Sequence, residues 1–153
     1  MTIATRTAAA LAAASMLFSV PAAASEASEQ AEKLRRLDIM LMVTGLRCRT
    51  TSDNFQADYG RFTSAHLGTL NSANNSLKTQ FAKRYGAGGA NRALDRLSTQ
   101  MANQYAQGHP WLDCGQLKQV TRSLAQMRGT APLVEAADQL LGRGPQRLAW
   151  LRK

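Results

Sequence analysis

The chain of 153 residues carries 19 Lys and Arg against 10 Asp and Glu, a formal net charge of +9, with 44% hydrophobic residues, 11 Gly, 4 Pro and 2 Cys. This suits one domain of ordinary size. It excludes a collagen-like, disulfide-dense or disordered chain, because the apolar fraction is full and neither Gly, Pro nor Cys is extreme.

Residues 1–24 read as a secretory signal peptide. Arg6 precedes an apolar run from Ala8 to Val20, followed by Pro21 and Ala22-Ala23-Ala24, an Ala-x-Ala cleavage pattern with the cut after Ala24. The run is 13 residues long, whereas a spanning helix needs about 20. Cleavage removes one basic residue, Arg6, and leaves 18 basic against 10 acidic side chains, net +8. The remaining chain divides into a helical domain, 25–142, and a basic C-terminal tail, 143–153. Its longest uninterrupted aliphatic run, Ile39 to Val43, is too short to cross a bilayer.

Helical periodicity dominates the domain, and no alternating strand pattern occurs. Leu34, Leu37, Leu41, Thr44 and Cys48 predict a first and most buried helix over about Ser28–Arg49. Phe55, Tyr59, Phe62, His66, Leu70, Ala73, Leu77 and Phe81 predict a second. It starts at the cap candidates Ser52 or Asp53 and is broken after Tyr85 by Gly86, Gly88 and Gly89. At about 50 Å it is long for a small domain, and Gly68 with Asn71, Asn74 and Asn75 mark a kink near its middle. A third helix runs from Ala90 to Gln107. Asp113 and Gln116 form a capping box for a fourth, with core positions Leu117, Val120, Leu124 and Met127 and an end at Gly129. A fifth, near Pro132–Leu141, closes at Gly142 as a left-handed C′ residue. Short loops between amphipathic helices imply an all-α, up-and-down bundle of four or five helices.

In an exported chain the two cysteines, Cys48 and Cys114, pair by default in the oxidising compartment. The Cys-x-x-Cys spacing of a redox pair is absent.

Candidate chemistry is sparse. His66 and His109 lie in no metal-ligand spacing, so no metal and no cofactor is expected. His66 falls on an apolar stripe and reads as a hydrogen-bonded core residue. Asp58 and His66, eight residues apart, are separated by roughly 12 Å on one straight helix, too far for a direct bond. Asp53 reads as a cap. Gly86-Ala87-Gly88-Gly89 has Asn91 where a dinucleotide motif needs its third glycine, and is an interhelical turn. His109-Pro110-Trp111-Leu112-Asp113-Cys114 concentrates unusual residues: Pro110 stops a helix, Trp111 packs near the bridge, and Trp111 with His109 offers a binding pocket as the functional alternative.

Positive charge gives the one functional direction. Arg35, Arg36, Arg47 and Arg49 mark the first helix, Lys83 and Arg84 the second, and Arg92 and Arg96 the third. In the tail, Arg143, Arg147, Arg152 and Lys153 interleave with Leu148, Trp150 and Leu151 without an acid. This composition suits contact with an anionic surface.

The segments Leu34 to Val43, Cys48-Arg49-Thr50, Asp53 to Tyr59 and His109 to Cys114 resemble a family of short exported bacterial helical proteins with no established activity. Some of these carry the label S-adenosyl-L-homocysteine hydrolase. The resemblance covers about residues 30–141 and implies no residue roles. The labelled activity is not expected here, because such hydrolases resemble large cytoplasmic enzymes with a dinucleotide fold, and this chain has neither the glycine motif nor a parallel-sheet pattern.

The sequence therefore predicts a periplasmic or secreted, non-enzymatic helical protein that binds an anionic envelope component or a periplasmic partner protein, in a chaperone-like manner as one version. Export disfavours nucleic acid as a partner. The alternative is an envelope hydrolase using Asp58, His66 or His109.

Overall fold

The computed structural model describes the backbone over residues 22–142 and side chains from Ser25 onward. The expected signal segment, apart from Ala22–Ala24, and the basic tail lie outside the described residues. Five helices and no strand occupy the described part: α1 (Ala22–Cys48), α2 (Gln56–Ala65), α3 (Leu67–Gln104), α4 (Cys114–Gln126) and α5 (Thr130–Leu141).

The apolar residues of α1 dictate the architecture. Ala31, Leu34, Leu37, Met40, Leu41, Thr44 and Cys48 are buried, and Ile39 extends the buried surface beyond the usual stripe. A helix apolar over so much of its circumference must be surrounded, and α2, α3, α4 and α5 all pack against it.

Cross-links fix the directions. Tyr59 Oη donates to Asp38 Oδ1 (2.9 Å) near the middle of α1, and Ser28 Oγ donates to Gln80 Oε1 (2.6 Å) near its start. The segment from Tyr59 to Gln80 therefore descends alongside α1. It is interrupted at His66, whose φ/ψ of −115°/16° departs from helical values. Of the residues expected to mark a kink, Gly68 lies two positions beyond the break, and Asn71, Asn74 and Asn75 lie within α3.

At Gly86 the chain leaves helical geometry altogether, with φ 73° and ψ 165°. That conformation is confined almost entirely to glycine. Beyond it the second arm of α3 rises again: Arg35 Nη2 donates to Ser98 Oγ (3.1 Å), Arg36 Nη1 to Gln104 Oε1 (3.0 Å) and Arg47 Nη1 to the Ala106 carbonyl (3.0 Å). Thus α3 is a helical hairpin clasping α1 between antiparallel and parallel arms. The expected break after Tyr85 is there.

The disulfide Cys48–Cys114, with Cα atoms 5.8 Å apart, joins the end of α1 to the start of α4. Helix α4 then packs on α2, and α5 returns along α1, where Lys33 Nζ lies 2.8 Å from Asp138 Oδ1. The bundle is up-and-down, as the periodicity implied.

Several sequence-derived boundaries need correction. Asp53 is not a helix cap. The N-cap position of α2 is Phe55, whose fully buried ring is inserted against Gly45 of α1, where an added Cβ would lie 3.3 Å from Phe55 Cε2. Burial of this ring sets where the helix begins, Asn54 Oδ1 accepts from Gln56 N–H (3.0 Å), and Asp53 instead lies 3.7 Å from Lys118 Nζ. Asp113 does cap α4, with the reciprocal Gln116 bond present. Helix α4 ends at Gln126, before Gly129, which serves as N-cap of α5 at φ 85°. Gly142 is extended, φ −61° and ψ 161°, and is not a left-handed terminator.

Two predictions follow from these constraints. Replacing Gly86 by Ala costs about 1–3 kcal/mol, read by chemical denaturation, because a side chain is forced into a glycine-only conformation. Removing the disulfide with Cys48→Ser and Cys114→Ser, which opens a link of sequence separation 66, costs about 2–5 kcal/mol and lowers the denaturation midpoint in the same assay.

Candidate functional site

His109 and Trp111 lie in the loop between α3 and α4, where Gly108 turns the chain at φ 107°. The His109 ring is buried, and both its nitrogens are used. Nδ1 accepts from the backbone N–H of Leu112 (3.2 Å) and Trp111 (3.4 Å), while Nε2–H donates to the Leu140 carbonyl (3.0 Å). Two donors aimed at Nδ1 require it to be unprotonated, so the neutral Nε2–H tautomer fits this site. Burial pushes the His109 pKa below its ordinary value, with the Leu140 hydrogen bond opposing that shift. Tyr105 stacks on one side of the ring, and Trp111 meets it edge-on at a centroid distance of 4.7 Å. The Trp111 Nε1–H points to the Gly142 carbonyl (3.4 Å). This cluster ties the α3–α4 loop to the end of α5.

His66 is likewise buried, its Nε2 lying 2.8 Å from the Leu124 carbonyl and its ring 5.3 Å from that of Phe62. It joins the α2–α3 kink to α4, in keeping with the core role read from the apolar stripe.

Asp58 is a buried carboxylate on α2. Its Oδ1 accepts from Arg61 of the same helix and from Arg122 Nε of α4 (3.1 Å). Burial alone would push this carboxyl up, but the hydrogen bonds and charges of Arg61 and Arg122 outweigh it and hold the pKa below the usual carboxylate value. The Arg61 pairing lies within one helical turn and is readable from sequence, whereas Arg122 is 64 positions away. No sequence signal marked that second partner.

Asp58, His66 and His109 thus take separate partners, and no hydrogen bond links any two of them. Among the described residues, no group of three His, Cys, Asp or Glu side chains is placed to hold a metal ion. The open grooves are equally unlike a proton-transfer site. One, about 910 Å³ between the start of α1 and the first arm of α3, is lined by Ser28, Asn71, Asn75, Thr79 and similar residues, with Lys83 its one ionisable group. A second, about 390 Å³, brings together Glu29, Glu32 and Asp138, but Lys33 bridges Glu29 and Asp138 at 2.8 Å each and Arg36 holds Glu32 at 2.9 Å. Hydrogen bonds to Asp138 and Glu29 push the Lys33 pKa up to about 12. Asp38 is the carboxylate that burial pushes up, against the Tyr59 bond and the Arg35 charge, and no second carboxylate lines its groove.

The cations fall into two sets. Of the four arginines expected on the first helix, Arg35, Arg36 and Arg47 are ties to α3 and the segment after it, whereas Arg49 lies just beyond α1 and is exposed. On the α3 hairpin, by contrast, Lys78, Lys83, Arg92 and Arg96 are exposed and pair with no carboxylate among the described residues. Arg84 lies over the half-exposed Tyr85 ring, 5.4 Å from its centroid. Arg143, Arg147, Trp150, Arg152 and Lys153 lie outside the described residues.

No protein-family model, curated protein or solved structure matches the chain.

The His109 arrangement predicts a pH dependence. Its pKa is lowered on folding from 6.5, so on acidification the unfolded chain takes up the proton first. The associated stability is complete above about pH 6.5 and is lost as pH falls from there towards the folded-state pKa. Thermal melts of wild type and His109→Gln between pH 8 and pH 5 check this: wild type loses melting temperature across that interval, and the variant, lower throughout, shows a flatter dependence.

Proposed function

We propose that this protein is an exported, non-enzymatic helical binding protein that engages an anionic component of the cell envelope, or a partner protein presenting such a surface. The single observation carrying this reading is the distribution of charge. Glu29, Glu32, Asp38, Asp53, Asp58 and Asp138 each take a basic partner, whereas the cations of the α3 hairpin, Lys78, Lys83, Arg92 and Arg96, face solvent with no carboxylate partner among the described residues and outnumber the hairpin's one acid, Asp95. Unpaired surface cations attract anionic surfaces over a screening length of about 8 Å at physiological salt. The disulfide favours an oxidising compartment, and among the described residues no helix is long and apolar enough to cross a membrane. The resemblance to short exported helical proteins supports the same placement.

Non-enzymatic binding is favoured because the candidate acid–base groups are dispersed. Asp58 and His66 complete the contact of α2 with α4 through Arg122 and the Leu124 carbonyl, and His109 ties the α3–α4 loop to α5.

The test is co-sedimentation of the disulfide-intact protein with isolated envelope fractions at low and high salt, with the supernatant assayed for released wall or lipid fragments. The expected result is binding at low ionic strength, lost at about 0.5 M salt, with no fragments released. Salt-independent absence of binding, or release of fragments, would contradict the proposal.

A further inference from the structure

Asp58, Arg61 and Arg122 form an unusual arrangement for a purely structural contact. A single buried carboxylate is balanced by one cation, yet two guanidinium groups converge on it, from α2 and from α4. Both bond the same oxygen, Oδ1, and two hydrogen bonds to one atom keep their donor nitrogens no more than about 6 Å apart. The carboxylate is 4% exposed, whereas the Arg61 and Arg122 side chains are 65% and 54% exposed. The anchor is thus internal and the guanidinium groups open to solvent.

The donor inventory matters here. Each guanidinium has five N–H donors in a planar fork, and Asp58 engages one nitrogen of each, Nη2 of Arg61 and Nε of Arg122. Arg122 therefore retains its outer pair of nitrogens for bidentate bonding. The neighbouring charged groups, Lys118 and Asp53, offset each other, with Lys118 also donating to the Ser52 carbonyl at 3.2 Å. One carboxylate against two guanidinium groups leaves a surplus of one positive charge, fixed in position before any ligand arrives.

We propose that Arg61 and Arg122, held together on the buried carboxylate of Asp58, form a binding site for a phosphodiester oxyanion. The surplus charge matches the single negative charge of a phosphodiester. The convergent forks suit two oxygens on one phosphorus, the geometry for which arginine is the preferred residue. Asp58 is a positioning residue: it holds two long side chains whose freedom would otherwise be lost on binding. The site lies on α2 and α4, apart from the α3-hairpin cations, and goes beyond the anionic-target reading by naming a ligand chemistry.

The probe is glycerophosphoglycerol, a soluble phosphodiester, titrated into the full chain while the side-chain Nε–Hε signals of arginine are followed by NMR. Saturable shifts of Arg61 and Arg122 with one shared dissociation constant are expected. Arg61→Gln, at an exposed position that leaves Arg122 to balance Asp58, weakens binding about tenfold through loss of a charge-assisted fork. Arg61→Lys, which keeps the charge, weakens it several-fold. Asp58→Asn is the sharper variant. It raises the net charge by one, so a site acting by charge alone would bind more tightly, whereas a positioned pair binds more weakly.

Arg128→Gln, at an exposed position between α4 and α5, leaves the dissociation constant unchanged. Phosphatidylglycerol vesicles run in parallel identify the source: weakening by Arg61→Gln in both arms assigns a lipid headgroup, and weakening in the soluble arm alone assigns a free diester. Unchanged affinity in Arg61→Gln, or tighter binding in a folded Asp58→Asn, would overturn the site. Loss of envelope binding with the Arg61 and Arg122 shifts intact would instead sink the envelope reading and leave this site standing.

Discussion

The structure depends on the burial of α1. A helix with Leu34, Leu37, Met40 and Leu41 all but inaccessible is stable only if its neighbours cover it on several sides. The rest of the chain is arranged to do so. The segment from Phe55 to Gln80 descends along it, the second arm of α3 rises beside it, and α5 closes a further flank. Gly45 allows the Phe55 ring to approach the upper part of α1, and the disulfide fixes that end to α4. Polar groups follow the same constraint: among the described residues no buried side-chain nitrogen or oxygen lacks a hydrogen-bond partner.

Covering one helix with the rest of the chain has a consequence for charge. Four acids on or beside α1, Glu29, Glu32, Asp38 and Asp138, are engaged by basic side chains there. The exposed cations of the α3 hairpin, Lys78, Lys83, Arg92 and Arg96, have no such partners among the described residues. Ionisable groups at the core are equally occupied. His66 and His109 join helices through backbone carbonyls, and Asp58 gathers two arginines. Among the described residues, the cations without a carboxylate partner therefore lie on outer faces.

Much of this was legible in the sequence. Apolar spacing identifies the helices, because burial against one centre imposes a 3.6-residue period on each. Gly86 was recognisable as a break, and Asp113 with Gln116 as a capping box, because both are local signals. Boundaries set by tertiary packing were not legible. Asp53 has the chemistry of a cap, but burial of Phe55 places the start of α2 beyond it; α4 ends at Gln126, ahead of Gly129, and Gly142 is extended rather than left-handed. The charge pattern was readable only in total. Arg35 and Arg92 look alike in the sequence, and only the fold distinguishes a tie to Ser98 from an unpartnered surface cation. The convergence of Arg61 and Arg122 on Asp58 is likewise invisible, since it joins positions separated by more than sixty residues.

The proposed function requires the bundle built around α1 to bind anionic material through its outer faces without opening. Amide hydrogen exchange of the disulfide-intact protein, with and without the envelope fraction, tests this most directly. The account predicts added protection on the α3 hairpin between Lys78 and Arg96, with α1 amides from Leu34 to Thr44 remaining the slowest and unchanged. Accelerated exchange in α1 on binding would contradict it, by showing that the target is engaged through the core after the bundle opens.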